Sequence, residues 1–261
     1  MKISIITTNF NTKKYLEKTI ESVLNQKGNF ELEYIIVDGG STDGSLDIIK
    51  KYADRIRFIS EKDKGQADGI NKGLRMSTGD VVAYLNADDM YTEDTLERVV
   101  EYFNSQPESK WLTGYCRIID ENDKEIRRYV TQYKNWKLRK FSFNQLLIED
   151  CISQPSTFWR RELLNEIGYF DESLHYAMDH DYWCRIAQKH PLHLIRVYLA
   201  EFRFTSDTKT GSGIEKTLKE SREVAERYTD SKWILLRQSM SNVKRIIVYK
   251  YLSGVLNIFR K

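Results

Sequence analysis

Four short apolar runs, each closing on a cluster of amides, hydroxyls and carboxylates, constrain residues 1–89 more than any other feature of the chain. Ile3 to Thr7 leads into Thr8-Asn9-Phe10-Asn11, and Tyr34 to Val37 leads into Asp38-Gly39-Gly40-Ser41-Thr42-Asp43. Arg57 to Ser60 is followed by Glu61-Lys62-Asp63-Lys64-Gly65, and Val81 to Leu85 by Asn86-Ala87-Asp88-Asp89. Between the runs, apolar residues recur at helical spacing: Tyr15, Ile20, Val23 and Leu24, then Leu46, Ile48, Ile49 and Tyr52. A third helix is expected over Gln66 to Met76, although Gly69 and Gly73 weaken it by up to ~1 kcal/mol each relative to alanine. Strands alternating with helices require right-handed crossovers, which gives an α/β fold with a mostly parallel, Rossmann-like central sheet flanked by helices. In such sheets ligands bind at the carboxyl ends of the strands, where all four polar clusters fall.

Composition narrows the class further. With 261 residues, 41% of them hydrophobic, the chain has material for a substantial core. The formal net charge of +3 is too small and too mixed to indicate a nucleic-acid partner. Its distribution is uneven, because residues 231–261 carry seven basic side chains and no acid. Three scattered cysteines without a CxxC pair argue against a disulfide framework and a thiolate zinc site, and fit a reducing, cytoplasmic setting. The opening apolar run is interrupted before it reaches signal-peptide length, and Lys250 breaks the most apolar part of the tail.

From about Trp111 to Trp159 the pattern loosens into short β-like pieces rich in aromatics. After Phe204 the alternation ends, which divides the chain into a principal domain, residues 1–205, and a linker with a helical C-terminal extension, residues 206–261. In that extension Val243, Ile246, Ile247, Tyr249, Leu252, Val255, Leu256 and Phe259 mix with lysines and arginines. The mixture suits an amphipathic helix lying on anionic lipid at the inner face of the membrane. It equally suits a helix packed on the body or in a homodimer.

No GxGxxG follows the first strand and no GxxxxGK[ST] occurs, which argues against a dinucleotide-dependent dehydrogenase and a P-loop enzyme. A diphosphate can still be held when a divalent cation bridges it to a carboxylate, since Mg²⁺ and Mn²⁺ favour oxygen ligands. Strand alternation puts Asn86 and Asp88 on one side, with Asp88 available to a metal and Asn86 to a ribose hydroxyl. The alternative is that Asp88 and Asp89 only precede a helix capped by Thr92. A second acidic group, Asp179-His180-Asp181, matches no HExxH-type metal spacing and suits a general base, or else the acidic first turn of a helix.

The motifs Ser4 to Asn11, Ser22-Val23-Leu24-Asn25-Gln26, Ile36-Val37-Asp38-Gly39-Gly40-Ser41, Asn71-Lys72-Gly73 and Leu85-Asn86-Ala87-Asp88-Asp89 closely resemble the family 2 glycosyltransferases of the GT-A fold. The resemblance covers about residues 1–115, with support at Gln154-Pro155-Ser156-Thr157-Phe158 and Met178 to Trp183. The Asp-Gly-Gly-Ser turn is similar to the bacterial O-antigen and exopolysaccharide branch. The resemblance implies an inverting, metal-dependent transfer from a nucleotide-sugar donor, UDP-linked first, to a saccharide or lipid-linked saccharide acceptor. By the same resemblance Thr8, Asn11, Asp38, Asp68, Asn71 and Asn86 hold the donor, with Asp38 accepting from uracil, and Asp88 binds Mn²⁺ or Mg²⁺. Asp179 stands at the position of the base, with Asp181 as the other candidate, and Gln154 either orients the acceptor or satisfies buried backbone groups. Two departures stand out: Gly39 occupies a place where many relatives carry a second acid, and Asn86 replaces the first aspartate of the family's DxD.

Two other classes use similar parts. A sugar-nucleotide nucleotidyltransferase would carry a glycine- and basic-rich triphosphate loop after the first strand, which Thr8-Asn9-Phe10-Asn11 is not. A non-catalytic nucleotide-sugar binder would dispense with Asp88 and Asp179, both of which are present.

Overall fold

In the computed structural model, residues 1–205 and 213–258 are described, with side chains through residue 247. The expected linker at 206–212 and the tail residues Tyr249, Leu252, Val255, Leu256 and Phe259 as side chains lie outside that range. The strand-helix alternation of the first half appears as β1 (Lys2–Asn9), α1 (Lys13–Leu24), β2 (Glu31–Asp38), α2 (Ser45–Lys50), β3 (Arg57–Ser60), α3 (Gln66–Met76) and β4 (Val81–Asn86). β1 pairs in parallel with both β2 and β4, and β2 in parallel with β3. Register brings Asn9 opposite Asp38, Asp38 opposite Ser60 and Thr8 opposite Asn86, so all four polar strand ends meet along one edge.

Side-chain alternation divides the core into two layers. Val82 and Tyr84 of β4 pack on one face of the sheet with Ile6, Ile70 and Leu74, while Val81, Ala83 and Leu85 pack on the other with Ile3, Ile5 and Ile20. Gly73 has a positive role here. A Cβ on it would lie 2.3 Å from Ile6 Cγ2, so α3 could not approach β1 this closely with any larger residue.

The second half extends the sheet by mixed pairing. Its elements are β5 (Met90–Tyr91), α4 (Thr95–Ser105), β6 (Trp111–Ile119), α5 (Arg128–Leu138), α6 (Phe143–Ile148), β7 (Thr157–Arg160), α7 (Leu163–Ile167), α8 (Met178–Ala187) and β8 (His193–Arg203). The eight strands run in the order β3-β2-β1-β4-β7-β6-β8-β5. β7 is antiparallel to both β4 and β6, β8 is parallel to β6, and β5 is antiparallel to β8.

In residues 111–159 the β-like reading holds at the two ends, β6 and the start of β7, and is corrected in the middle, which α5 and α6 occupy. The physical reason is that α5 has a mixed pattern: it buries Thr131, Asn135 and Leu138 while Tyr129, Tyr133 and Trp136 face out, so its apolar spacing does not mark a clean core-facing stripe.

Two further helices, α9 (Ile214–Tyr228) and α10 (Lys232–Ile258), follow. α9 is built into the body: Leu218, Val224 and Ala225 are buried, and the Glu220 carboxylate accepts the backbone N–H groups of His175, Tyr176 and Ala177 just before α8. α10 rests on α9 through buried Gln238, which donates to Ser221 O at 3.0 Å, and through half-buried Ile234 and Leu235. Among the described residues no helix is long and apolar enough to cross a membrane.

Candidate active site

The loops after β1, β2 and β3 are tied together by one carboxylate. Asp38, fully buried at the end of β2, accepts Asn9 Nδ2 at 2.7 Å and Ser41 Oγ at 2.5 Å on one oxygen. Its other oxygen accepts Ser60 Oγ at 2.7 Å and the backbone N–H groups of Gly40 and Ser41. Burial alone would raise the pKa of this acid, but the donors from Ser41, Ser60 and Asn9 outweigh it and hold the carboxyl below its ordinary range. Asn11, with a left-handed φ of 53°, adds a second tie by accepting Thr42 N at 2.8 Å and donating its own N–H to Ser41 Oγ at 2.9 Å.

Thr8 makes no side-chain hydrogen bond among the described residues, and its methyl lies 3.1 Å from where a Cβ on Gly69 would be. Asp63 stands against this place. Its Oδ2 is 2.5 Å from the position of a Cβ on Gly39, so the carboxylate of the next loop fills the space beside the glycine. The acid that Gly39 lacks is thus matched by one from the β3–α3 loop. Asp68, at the start of α3, accepts Lys64 N at 3.0 Å and pairs with Lys72 at 3.3 Å, which keeps its pKa low against the opposing effect of burial. Asn71 is fully engaged elsewhere: its amide donates to Phe170 O and Glu172 Oε1 and accepts Phe170 N. It fixes the loop ahead of α8.

At the end of β4 the environment changes. Asn86 accepts Gln66 Nε2 at 2.7 Å and donates to Asp89 Oδ2 at 3.2 Å and Gln154 Oε1 at 3.3 Å. Gln154 is buried and donates in turn to Tyr84 O, so both ends of its amide are used inside the protein. Asp89 is wholly buried, accepting Arg203 N at 2.9 Å. Asp88 is different, since no other side chain hydrogen-bonds its carboxylate among the described residues and it keeps a solvent-facing edge. Burial raises the pKa of both acids, and for Asp89 the adjacent Asp88 charge adds to the effect. The expectation that these acids merely precede a helix is corrected by β5, which intervenes and pairs with β8. The cap of α4 is also not Thr92, whose hydroxyl donates to Tyr198 O, but Asp94 in a left-handed conformation.

Two residues apart on α8, Asp179 and Asp181 have opposite surroundings. Asp181 is buried and saturated: Arg185 Nε at 2.9 Å on one oxygen, Tyr228 OH at 2.8 Å and Arg227 Nη1 at 3.3 Å on the other. Asp179 is only partly covered and accepts the His180 N–H at 2.9 Å. Burial, with the nearby Asp150 charge, pushes its pKa up to about 6. His180 Nε2 donates to Leu146 O at 2.9 Å, and burial lowers its pKa, which favours the neutral imidazole. The charges of Asp179, Asp89 and Asp150 all act on the buried Tyr84 hydroxyl, and with burial they raise its pKa.

Two contributors were not legible in the sequence. Asp150 follows α6 and accepts Ile152 N at 2.8 Å; burial raises its own pKa too. Arg203 ends β8 with its side chain fully buried, donating to Asp88 O at 2.9 Å and Asp120 O at 2.6 Å, and pairing with Asp123 at 2.7 Å. It clamps the backbone of the Asp88 turn. A lone cation between Phe202 and Phe204 was the available signal.

The family model for Glycosyl transferase family 2 matches residues 4–168, a span that contains every strand-end cluster described above. The chain belongs to this family. An uncharacterized glycosyltransferase of Nostoc sp. is 40% identical over 136 residues, covering 51% of this chain and 42% of the relative, so the chain spans less than half of that protein's length. The crystal structure of S. aureus TarS 1–349 in complex with UDP-GlcNAc superposes with a TM-score of 0.68 over 89% of this chain and 68% of that one, at 20% identity. A mannosyltransferase from Pyrobaculum calidifontis, PcManGT, in complex with GDP-Man and Mn²⁺, gives 0.69 over 98% and 79% at 16% identity. These likenesses establish the GT-A fold for the transferase.

A divalent cation is a fair fit to the residues present. Asp88 offers a carboxylate that no other side chain hydrogen-bonds among the described residues, beside a second acid that is buried, and the Arg203 charge offsets the pair only in part, since burial still raises both pKa values. No cluster of three or more His, Cys, Asp or Glu ligands occurs among the described residues, so the protein supplies few ligands and a bound diphosphate would supply others.

Proposed function

We propose that the transferase moves a sugar, with inversion at its anomeric carbon, from a nucleoside-diphosphate sugar to a hydroxyl of a saccharide or lipid-linked saccharide. UDP is the first candidate nucleotide, and the setting is bacterial surface-polysaccharide synthesis in the cytoplasm. The observation that carries the reading is Asp88, a carboxylate at the end of β4 that no other side chain hydrogen-bonds among the described residues, together with Asp179 on α8, whose pKa burial pushes up to about 6; Asp89, the neighbour of Asp88, and Asp179 both act on the buried Tyr84 hydroxyl. TarS with UDP-GlcNAc and PcManGT with GDP-Man and Mn²⁺ support it by analogy.

In this reading Thr8 and the loops locked by Asp38, Asn11 and Asp68 form the nucleotide cradle; Asp38, fully buried with both oxygens bonded, shapes it from beneath, and Asp63 is the acid left to meet the base. Asn86, held by Gln66 and Gln154, faces the ribose or the diphosphate. Mn²⁺ or Mg²⁺ held by Asp88 would neutralise charge on the departing diphosphate. Asp179 accepts the proton of the acceptor hydroxyl while that oxygen bonds to the anomeric carbon. The bond from that carbon to the diphosphate oxygen breaks on the opposite face, so the products are the glycoside, a protonated Asp179 and the nucleoside diphosphate. Asp181, committed to Arg185, Arg227 and Tyr228, positions α8 rather than acting as the base.

The test is a screen of UDP-, GDP- and dTDP-sugars for metal-dependent release of the nucleoside diphosphate. Release that requires Asp179 supports transfer. Pyrophosphate release would indicate a nucleotidyltransferase, and binding without turnover a non-catalytic binder.

A further inference from the structure

Two helices that turn large apolar side chains outward, α5 and α10, lie side by side. On α10, Trp233, Leu236, Met240, Val243 and Ile247 are spaced three and four residues apart and all face solvent, each more than half exposed. The face turned to the body carries buried Gln238 and half-buried Ile234, Leu235, Ser241 and Asn242, so a second apolar row is left outside. On α5, Tyr129, Tyr133 and Trp136 face solvent above buried Thr131 and Asn135, and the rings of Tyr133 and Trp136 stack with centroids 6.2 Å apart. Lys244 of α10 lies over the Tyr133 ring, and Ser241 and Tyr133 both donate to Glu149, so the two apolar faces adjoin. Helices folded against a body in water bury their apolar stripes. Two neighbours that each leave a row of large apolar side chains outside describe a surface made for another apolar medium.

Charge identifies the medium. The exposed side of α10 carries Lys232, Arg237 and Lys244, and the helix has no acid along its length. Beside it Lys140 lies over the Trp136 ring, and the one acid at the junction, Glu149, is buried and neutralised by Lys137. Tryptophan and tyrosine among lysines and arginines around an aliphatic stripe are the elements of a helix lying in a headgroup layer. Two copies pressed together through this face would bring Arg237 and Lys244 of each against cations of the other.

We infer that α5 and α10 together form a docking face for the surface of an anionic bilayer. The face stands next to the chemistry, because Glu149 at its junction precedes Asp150, whose charge acts on Asp179. Insofar as Asp179 marks the acceptor side, which rests on the proposed function, a lipid-anchored acceptor would reach it from this face.

Vesicle flotation of the full chain tests the inference, with phosphatidylcholine alone and phosphatidylcholine mixed with phosphatidylglycerol as probes. Partitioning is expected onto the mixed vesicles and not the neutral ones. The triple variant Trp233→Ser, Leu236→Ser, Met240→Ser should lose it by about tenfold or more. Arg237→Gln with Lys244→Gln should lower it about tenfold. All substituted positions are exposed, and circular dichroism with UDP binding checks that the variants fold. Equal partitioning of wild type and triple variant, or no partitioning at all, overturns the inference. So does a concentration-dependent dimer that the triple variant abolishes without any vesicle binding, which would assign the face to a second copy. Because flotation needs no turnover, failure here leaves the transfer reaction standing, and failure of transfer leaves the membrane result standing.

Discussion

The carboxylates proposed to shape the nucleotide cradle and those where chemistry is proposed are the same residue type under opposite treatment. Asp38, Asp43 and Asp68 are surrounded by N–H and O–H donors, and their pKa values fall despite burial. Buried Asp89 and partly covered Asp88, Asp150 and Asp179 have few donors, and theirs rise. The first set joins loops into a rigid cradle. The second stores electrostatic stress that a cation or a proton relieves, which is the usual condition of a functional site.

The sharpest way to break this comparison is Asp179→Asn, expected to reduce turnover by ~10²–10⁴-fold while the nucleotide affinity stays within about threefold, as read by nucleotide-release kinetics and calorimetry. Parental turnover in Asp179→Asn together with loss in Asp181→Asn would assign the base to the wrong carboxylate. Next, Asp88→Ala should weaken Mn²⁺-dependent UDP binding by ~10²-fold in titration calorimetry, and unchanged affinity would remove its role with the metal.

Stability should separate the two sets by sign. Asp38→Ala strands the Asn9, Ser41 and Ser60 donors and should destabilise the fold by about 2–4 kcal/mol in denaturant titrations. Asp179 behaves oppositely. Its folded pKa of about 6 lies above the ordinary carboxylate value, so its contribution favours the fold at low pH and is lost as pH rises through 6. Asp179→Asn should therefore be more stable than wild type at pH 8, by about 1–2 kcal/mol, and lose that advantage near pH 4. Destabilisation by both substitutions at pH 8 would show that the acids do not form two electrostatic classes.

The smallest effect is a shift of a pH profile. A base with a pKa of about 6 gives turnover an acidic limb near pH 6. Asp150→Asn removes a neighbouring negative charge, so the limb should move toward lower pH by about half a unit to one unit. A limb unmoved, or moved upward, would remove Asp150 from the electrostatics of the base.

The sequence by itself determined the parallel half of the sheet, the span of α3 and the strand-end clusters, because a two-residue alternation and a helical repeat are local properties and the ends of strands follow from them. It also put Asp88 and Asp179 forward as the residues to examine. Tertiary structure alone decided the rest. Arg203 reaches the Asp88 turn from more than a hundred residues away, and Asp63 enters the space beside Gly39 from another loop. Asp179 and Asp181 look equivalent along the chain, yet α9 brings Arg227 and Tyr228 to the second and nothing comparable to the first. The outward faces of α5 and α10 were concealed for a related reason: a periodic pattern tells that a helix has an apolar side, and only the packing of its neighbours decides where that side points.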